Sequence, residues 1–278
     1  MAGAGRLQAR FAALKAEGRA AFVAYIMAGD PDTETAQEIL SALPAAGADI
    51  IELGFPFSDP MAEGPPIQRS AQRALAAGMT LNGVLETVRR FRERDQTTPI
   101  VLMGYMNLLL TYGLVAFAAD AAEVGVDGLI VVDCPPEEAD PLADALDRTG
   151  VALIRLATPT SDDARLAVIA RRTAGFIYYV SVAGVTGVKA VDTAGVGLAV
   201  ERVRKAAGLP VAVGFGIRTP EQAAAVARVA DAVVVGSALV DEIAAGLAAN
   251  ENVTSRVLET ARRLAQAVRS VGQATVQA

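Results

Sequence analysis

The chain has 278 residues, 53% of them hydrophobic and 20% charged, and its 25 basic and 31 acidic residues give a formal net charge of −6. Because it contains no histidine, a Ser-His-Asp triad and a histidine-based zinc site are excluded. Its single cysteine, Cys134, excludes an internal disulfide and agrees with a reducing compartment. The acidic balance argues against a surface for nucleic acid.

Residues 1–20 carry scattered charges and no apolar core, which predicts a chain without a signal peptide and a cytoplasmic location. The uncharged stretch 96–119 is long enough to cross a bilayer, but Gly104, Asn107 and Gly113 interrupt it. We therefore interpret this stretch as a buried strand followed by a helix rather than as a membrane span.

Short runs rich in Val and Ile alternate along the chain with longer segments of helical periodicity. After a leading helix at 5–16, strands are predicted at 22–27, 50–53, 100–103, 128–132, 152–156, 176–180, 211–214 and 232–235. The intervening helices are predicted at 33–46, 81–93, 115–124, 138–149, 162–172, 195–207, 219–228 and 253–271. The strands are continuous apolar runs, which is typical of a parallel sheet covered on both faces.

Eight strands alternating with helices predict an α/β fold, a (β/α)8 TIM barrel with an extra N-terminal helix, as one domain over residues 1–278. The main alternative is an open, doubly wound sheet. Its dinucleotide fingerprint is missing after the first strand, where the chain reads AGDP at 28–31. In a barrel the functional groups lie at the carboxyl ends of the strands, so the loops that follow the strands are the candidate site.

The loop after the second strand combines acidic residues with prolines. If Glu52 points into the barrel mouth among apolar neighbours, loss of hydration raises its pKa, and its carboxyl can give and take protons near neutral pH. A lone carboxylate could equally end the strand and bind a loop amide, but Asp59 and Glu63 follow within the same twelve residues. Four prolines stiffen the loop and limit the entropy lost in positioning these groups. The sequence therefore predicts a proton-transfer site.

Glycines follow the last two strands. Gly214 and Gly216 come after the seventh strand, and Gly236 with Ser237 after the eighth, where phosphate-binding barrels hold a phosphate on backbone N–H groups. A simple turn role is the alternative for each glycine. Ser237 is predicted to be the N-cap of a short helix.

Another glycine-bearing loop follows the sixth strand. Gly, Ala and Val dominate residues 183–196, so few large side chains anchor this segment. We predict that it is mobile without a ligand and becomes ordered on closure.

Several of these motifs occur together in one known family. The runs are GDP at 29–31, ELGFPFSDP at 52–60, GVTG at 184–187, GFGI at 214–217 and GS at 236–237. Over nearly its full length the chain resembles the α subunits of tryptophan synthase. The resemblance implies a barrel that cleaves indole-3-glycerol phosphate to indole and glyceraldehyde 3-phosphate. It also implies no cofactor in this chain, and a pyridoxal-phosphate β subunit that receives the indole through a tunnel in an α2β2 complex.

The resemblance further implies roles for individual residues. The general acid/base glutamate of the family falls on Glu52, and its second catalytic carboxylate, normally an aspartate, falls on Glu63. The implied contacts to the organic part of the substrate are Tyr25, Met103, Ile130, Val132, Leu156, Tyr178 and Thr186, of which the threonine orients the second carboxylate. The implied phosphate-binding positions are Gly187, Gly216, Gly236 and Ser237. The implied face toward the β subunit is Asp59, Pro60 and Asn107.

Glu63 departs from the family pattern by one methylene group. A displacement of about 1 Å at a catalytic group can cost ~100-fold in rate. Either the loop is reshaped so that Glu63 still reaches the indole nitrogen, or catalysis is weakened and the chain acts mainly as a binding subunit that activates its β partner. A third hypothesis is another phosphate-binding barrel, such as a sugar-phosphate isomerase or epimerase. The absence of histidine, and the position of Cys134 before two prolines, disfavour it.

Overall fold

The computed structural model describes residues 3–181, 193–214 and 216–276. Its elements in chain order are α1 (Gly3–Ala16), β1 (Ala21–Met27), α2 (Thr33–Ala42), β2 (Ile50–Gly54), α3 (Pro65–Ala76), α4 (Leu81–Arg92), β3 (Ile100–Gly104), α5 (Met106–Tyr112), α6 (Leu114–Val124), β4 (Gly128–Val131), α7 (Asp140–Asp147), β5 (Ala152–Ala157), α8 (Asp163–Ala170), β6 (Ile177–Val180), α9 (Thr193–Ala207), β7 (Val211–Gly214), α10 (Pro220–Ala227), β8 (Ala232–Val235), α11 (Ser237–Ala249) and α12 (Val253–Val276). A single 3-10 turn, Pro136–Glu138, precedes α7.

Within the described residues, eight parallel strands pair in sequence order, and β8 pairs with β1 to close the sheet. This confirms the predicted (β/α)8 barrel and the extra helix before its first strand. Every predicted strand is present, and each strand end lies within one residue of its predicted position. The continuous apolar runs predicted the strands well because both faces of this sheet are covered.

Two helices, α3 and α5, were not predicted from the sequence. The prolines at 65 and 66 were interpreted as loop residues, but they occupy the first turn of α3, where a fixed φ and a missing N–H are tolerated. Asn107 was interpreted as a break in an apolar run, but it lies inside α5. The predicted helix 33–46 was too long, because α2 ends at Ala42, shortly before Pro44.

The uncharged stretch 96–119 divides into β3, α5 and part of α6, as the strand-then-helix interpretation requires. In the described part of the chain no single helix has the length and apolar composition of a membrane span. The bent pair of α5 and α6, which meet at 96°, passes that test by length and composition alone.

Helix α1 closes the N-terminal end of the barrel. Leu7, Phe11 and Leu14 join the cluster that fills the barrel interior, and the ring of Phe11 lies 5.8 Å from that of Phe176. Next to this apolar plug, Asp127 is fully buried and binds two arginines, Arg6 at 2.7 Å and Arg92 at 2.6 Å. Since that end is filled, a ligand can enter only from the opposite rim, at the carboxyl ends of the strands, where we expect the functional groups.

Candidate active site

Glu52 lies in the middle of β2, where it pairs with Tyr25 on β1 and Val101 on β3. Its side chain is 1% exposed, and among the described residues no group forms a hydrogen bond with its Oε2. Burial, and then the charge of Glu63, raise the pKa of Glu52 to about 8. The buried position and raised pKa expected from the sequence are therefore found, and this carboxyl holds a proton near neutral pH.

Glu63 is half-buried in the loop between β2 and α3. Its backbone N–H donates to the carbonyl of Pro60 at 3.1 Å, and its own carbonyl accepts from Nε2 of Gln68 at 2.9 Å. Burial raises the pKa of Glu63 to about 7. Because the charge of Glu63 raises the pKa of Glu52, the two carboxyls lie within electrostatic reach of each other.

Tyr105 is a site residue that sequence reasoning missed. Its hydroxyl accepts a hydrogen bond of 3.0 Å from the backbone N–H of Ala62, and its ring lies 5.1 Å from that of Phe57. Both contacts hold the loop that carries Glu63. Its position directly after β3, at the carboxyl end of a barrel strand, was the signal that could have found it.

A buried ion pair ties the loop after β1 to α3. Arg73 donates to both carboxylate oxygens of Asp30, at 2.6 and 2.7 Å, and the hydroxyl of Ser70 also donates to Asp30. Because α3 begins two residues after Glu63, this pair fixes the far end of the loop. The partners lie 43 residues apart, and no local pattern links them.

Tyr25 and Tyr178 lie beside the two carboxyls. Burial raises the pKa of each phenol well above its usual range, and the charges of Glu52 and Glu63 raise it further. Glycines at strand ends make room for both rings: a Cβ on Gly54 would lie 2.9 Å from Cζ of Tyr25, and one on Gly214 would lie 2.6 Å from Cζ of Tyr178. Gly214, noted in the sequence as a candidate for phosphate, thus has a packing role.

We expect Gly214→Ala to destabilise the barrel by about 1–3 kcal/mol, because the new methyl group overlaps the Tyr178 ring in a packed interior. Chemical denaturation followed by circular dichroism measures the loss. Gly64→Ala is the matched control, because its new Cβ has no neighbour closer than Cδ of Pro66 at 3.8 Å. Equal unfolding midpoints for the two variants would contradict the packing role.

The apolar residues predicted to contact the substrate come together inside the barrel. Ile130 and Tyr178 belong to the cluster of buried side chains that fills the interior, and three half-buried side chains pack against it, those of Met103, Val132 and Leu156. They line the interior on the same side of the sheet as Glu52, since alternate residues of a strand face alternate sides. Thr186 and Gly187 lie outside the described residues, as does the part of the predicted mobile segment before residue 193; from Thr193 onward that segment is helix α9.

The remaining glycines at the rim are placed as follows. Gly216 is exposed and has a φ of +77°, which favours glycine. Gly236 is the N-cap of α11, and Ser237 is the first residue of that helix, with no side-chain capping bond. The prediction that Ser237 is the N-cap was therefore wrong, because the helix begins one residue earlier. Backbone N–H groups at this helix N-terminus are still a suitable place for a phosphate.

Two surface elements carry the residues predicted to face a partner. Asp59 and Pro60 lie in the loop before α3, where Asp59 accepts a 2.5 Å hydrogen bond from Ser58, and Asn107 is exposed on α5. The contact between Phe57 and Tyr105 places that loop beside the start of α5. The exposed residues therefore share one side of the barrel rim.

The fold and the site together define a (β/α)8 barrel with two carboxyls of raised pKa at its mouth. Residues 11–269 match the family model described as tryptophan synthase alpha chain. The chain belongs to this family.

Named relatives and solved structures agree. The chain is 74% identical over 264 residues to the tryptophan synthase alpha chain of Phenylobacterium zucineum, covering 95% of each sequence. It is 70% identical over 265 residues to that of Caulobacter vibrioides, covering 95% of this chain and 96% of the relative. The crystal structure of tryptophan synthase subunit alpha from Legionella pneumophila is 40% identical, with a TM-score of 0.90 over 97% of this chain and 99% of that one.

Proposed function

We propose that this chain cleaves indole-3-glycerol phosphate to indole and glyceraldehyde 3-phosphate, with Glu52 and Glu63 as its catalytic carboxyls. The observation that carries the proposal is the buried carboxyl of Glu52, whose pKa is raised to about 8, within electrostatic reach of Glu63 at the barrel mouth. Family membership supplies the reaction, and the burial and raised pKa of these residues support the roles that we propose for them.

The cleavage is a retro-aldol reaction, and one carboxyl can serve both of its proton transfers. Protonated Glu52 delivers its proton to the ring carbon that carries the glycerol chain. The bond between this carbon and the hydroxylated carbon then breaks, and the Glu52 carboxylate takes the hydroxyl proton, so an aldehyde forms and the acid is regenerated. Ionised Glu63 accepts a hydrogen bond from the ring N–H and stabilises the positive charge that develops there.

The other groups of the site bind and orient the substrate. We assign the indole ring to the apolar interior beside Tyr25 and Tyr178, and the phosphate to the backbone at Gly216, Gly236 and Ser237. A phosphate held away from the breaking bond fixes the orientation of the ring over Glu52. The assignment to Thr186 and Gly187 rests on the family resemblance alone.

We expect a bell-shaped dependence of kcat/KM on pH. Glu63 must be ionised, and its pKa is raised to about 7, so activity rises through that pH; Glu52 must be protonated, with a pKa of about 8, so activity falls above it. Steady-state assays of indole release across this range measure the profile. Glu63→Gln should remove the rising limb and shift the falling limb to lower pH, because the charge of Glu63 contributes to the raised pKa of Glu52. A profile that is flat between pH 6 and 9 would rule out the proposed protonation states.

The glutamate at position 63 requires its own test. Its loop is anchored by Gln68 and Tyr105, so we expect the wild type to cleave the substrate at least as fast as Glu63→Asp, whose shortened carboxyl is drawn back by about 1 Å. Turnover of both proteins is measured together with their activation of a β subunit. Near-zero turnover of the wild type with full activation would instead favour the weakened binding subunit.

We also propose the partner that the family implies, a pyridoxal-phosphate β subunit seated on the rim that carries Asp59, Pro60 and Asn107. Two large apolar side chains are exposed near these residues, Met61 at 86% and Leu110 at 59%. Exposed apolar residues among polar ones are typical of a protein interface. The proposed chemistry uses only side chains and substrate, without a cofactor in this chain, and the cytoplasmic location remains a prediction.

A further inference from the structure

A cavity of about 310 Å³ lies at the carboxyl ends of β4 and β5, beneath the loop that contains Cys134. Glu52 and Glu63 are not among its lining residues. Its walls combine polar groups with apolar side chains, and the apolar lining residues include Val131, Val132, Pro135, Ala139, Leu153 and Leu156. A concave, mostly apolar space with a few polar groups is the usual form of a small-molecule site.

One wall of this cavity is an unusual arginine, Arg155 on β5. It is only 7% exposed, and among the described residues no group accepts a hydrogen bond from its Nε. The other buried arginines, Arg6 and Arg92, differ in this respect, because both are bound to Asp127. A buried guanidinium nitrogen without an acceptor is costly, and an anion in the cavity would relieve that cost at Nε.

The acidic neighbours of Arg155 act on it only through space. Asp140 and Glu137 each favour its charged form, but Asp140 pairs with Arg172 and Glu137 with Arg165. Asp133 lines the cavity, but its Oδ1 accepts a 2.8 Å hydrogen bond from the backbone N–H of Met106 at the start of α5. Arg165 of α8 also lines the cavity and adds a second cation, whose side chain pairs with Glu137 at the surface. The guanidinium of Arg155 at the end of the cavity therefore has no carboxylate bound to it among the described residues.

We propose that this cavity binds a small organic carboxylate whose hydrocarbon body packs on the apolar wall while its carboxylate pairs with Arg155. A planar guanidinium suits a carboxylate because two parallel N–H donors can meet its two oxygens. The apolar side chains of the lining give an aromatic or branched body a surface to pack on, which a purely ionic ligand such as inorganic phosphate would leave unused. Glu52 and Glu63 do not line this cavity, but Val132 and Leu156 line both it and the interior assigned to the substrate, so the cavity borders the proposed active site. Arg155, the proposed carboxylate contact, has no role in the reaction proposed for Glu52 and Glu63.

Cys134 makes the proposal directly testable. It is the only cysteine of the chain, is half-buried, and lines the cavity. Alkylation of the full-length protein by neutral iodoacetamide, followed by intact mass, therefore reports on the accessibility of Cys134 alone. With benzoate as the probe, at ten times its dissociation constant, we expect alkylation to slow about tenfold by mass action. Benzamide, the uncharged isostere, and inorganic phosphate, which lacks a hydrocarbon body, should give no protection.

Variants then connect the protection to Arg155. In Arg155→Leu we expect benzoate to change the alkylation rate by less than about twofold, because the charge that holds the carboxylate is gone. The control Arg262→Leu removes an exposed arginine of α12 and should keep full protection. Each variant is compared with its own rate without benzoate, since Arg155 also acts on the Cys134 thiol. Circular dichroism checks folding.

Three outcomes would overturn the proposal: equal protection by benzoate and benzamide, protection by phosphate instead of benzoate, or protection that persists in folded Arg155→Leu. If Arg155→Leu does not fold, the comparison of benzoate with benzamide on the wild type still decides whether binding requires the negative charge of the ligand. Arg155→Lys then provides a second test, because a lysine keeps the charge but cannot form the paired bonds, so protection should weaken.

Discussion

Glu52→Gln should lower kcat for the cleavage of indole-3-glycerol phosphate by a factor of about 10³–10⁴. The amide has the shape of the carboxyl but can neither deliver nor accept the proton, and a positioned general acid or base contributes about 10²–10⁴ for each proton transfer. Glu52 serves two transfers, so the loss should lie at the upper end. Indole release under saturating substrate measures it. Glu86→Gln, an exposed glutamate of α4, is the control and should keep full activity.

The pH dependence of the unfolding free energy of the same variant provides a second test, and a misfolded protein would not produce the expected result. The pKa of Glu52 is raised from 4.5 to about 8 in the folded barrel, so the folded protein keeps a proton that the unfolded chain loses, and wild-type stability falls as pH rises through that window. At about 1.4 kcal/mol per pKa unit, the part lost is on the order of 4 kcal/mol. Glutamine cannot ionise, so Glu52→Gln should lack the part of this fall that Glu52 contributes and keep the part due to Glu63, whose pKa is raised to about 7. A wild type whose unfolding free energy is unchanged from pH 5 to 9 would contradict the buried acid.

Asp127→Ala should be the most destabilising of the substitutions discussed. It removes the carboxylate that both Arg6 and Arg92 bind in the buried N-terminal end of the barrel. Breaking a buried ion pair on one side costs about 3–5 kcal/mol. At about 2–4 °C per kcal/mol for a domain of this size class, we expect Tm to fall by on the order of 10 °C.

A surface carboxylate provides the comparison for Asp127. Asp140 also pairs with an arginine, Arg172, but its side chain is 73% exposed, and exposed pairs are worth about 0–1 kcal/mol. Asp140→Ala should therefore leave Tm nearly unchanged. If both variants shift Tm equally, burial is not what makes the Asp127 cluster important. Thermal unfolding at two salt concentrations adds a check, because a buried cluster is screened little.

The barrel could be predicted from the sequence because its signals are local. A strand such as 211–214 is an apolar run between helical segments, and eight such runs define the closed sheet. Glu52 could be predicted as a site residue for the same reason, since it lies on a predicted strand and its loop follows directly. Helix α3 could not, because its two prolines are equally typical of a loop until the following turns are packed.

The supports of the site could not be predicted because they depend on distant pairs. Arg73 meets Asp30 across 43 residues, and Tyr105 meets Ala62 across another 43. Arg155 shows the opposite case. It lies inside an apolar strand, and only the packed structure reveals that its Nε finds no acceptor among the described residues. The sequence shows which residues are polar, but it does not show which of them find a hydrogen-bond or ion-pair partner in the folded protein.

The plug formed by α1 determines where small molecules can enter and leave the barrel. With Leu7, Phe11 and Leu14 filling the far end, a small molecule released beside Glu52 must depart by the same rim through which its precursor arrived. Asp59 and Asn107 stand on that rim. A protein bound there would control both the entry of the precursor and the release of the product, without contacting Glu52 or Glu63.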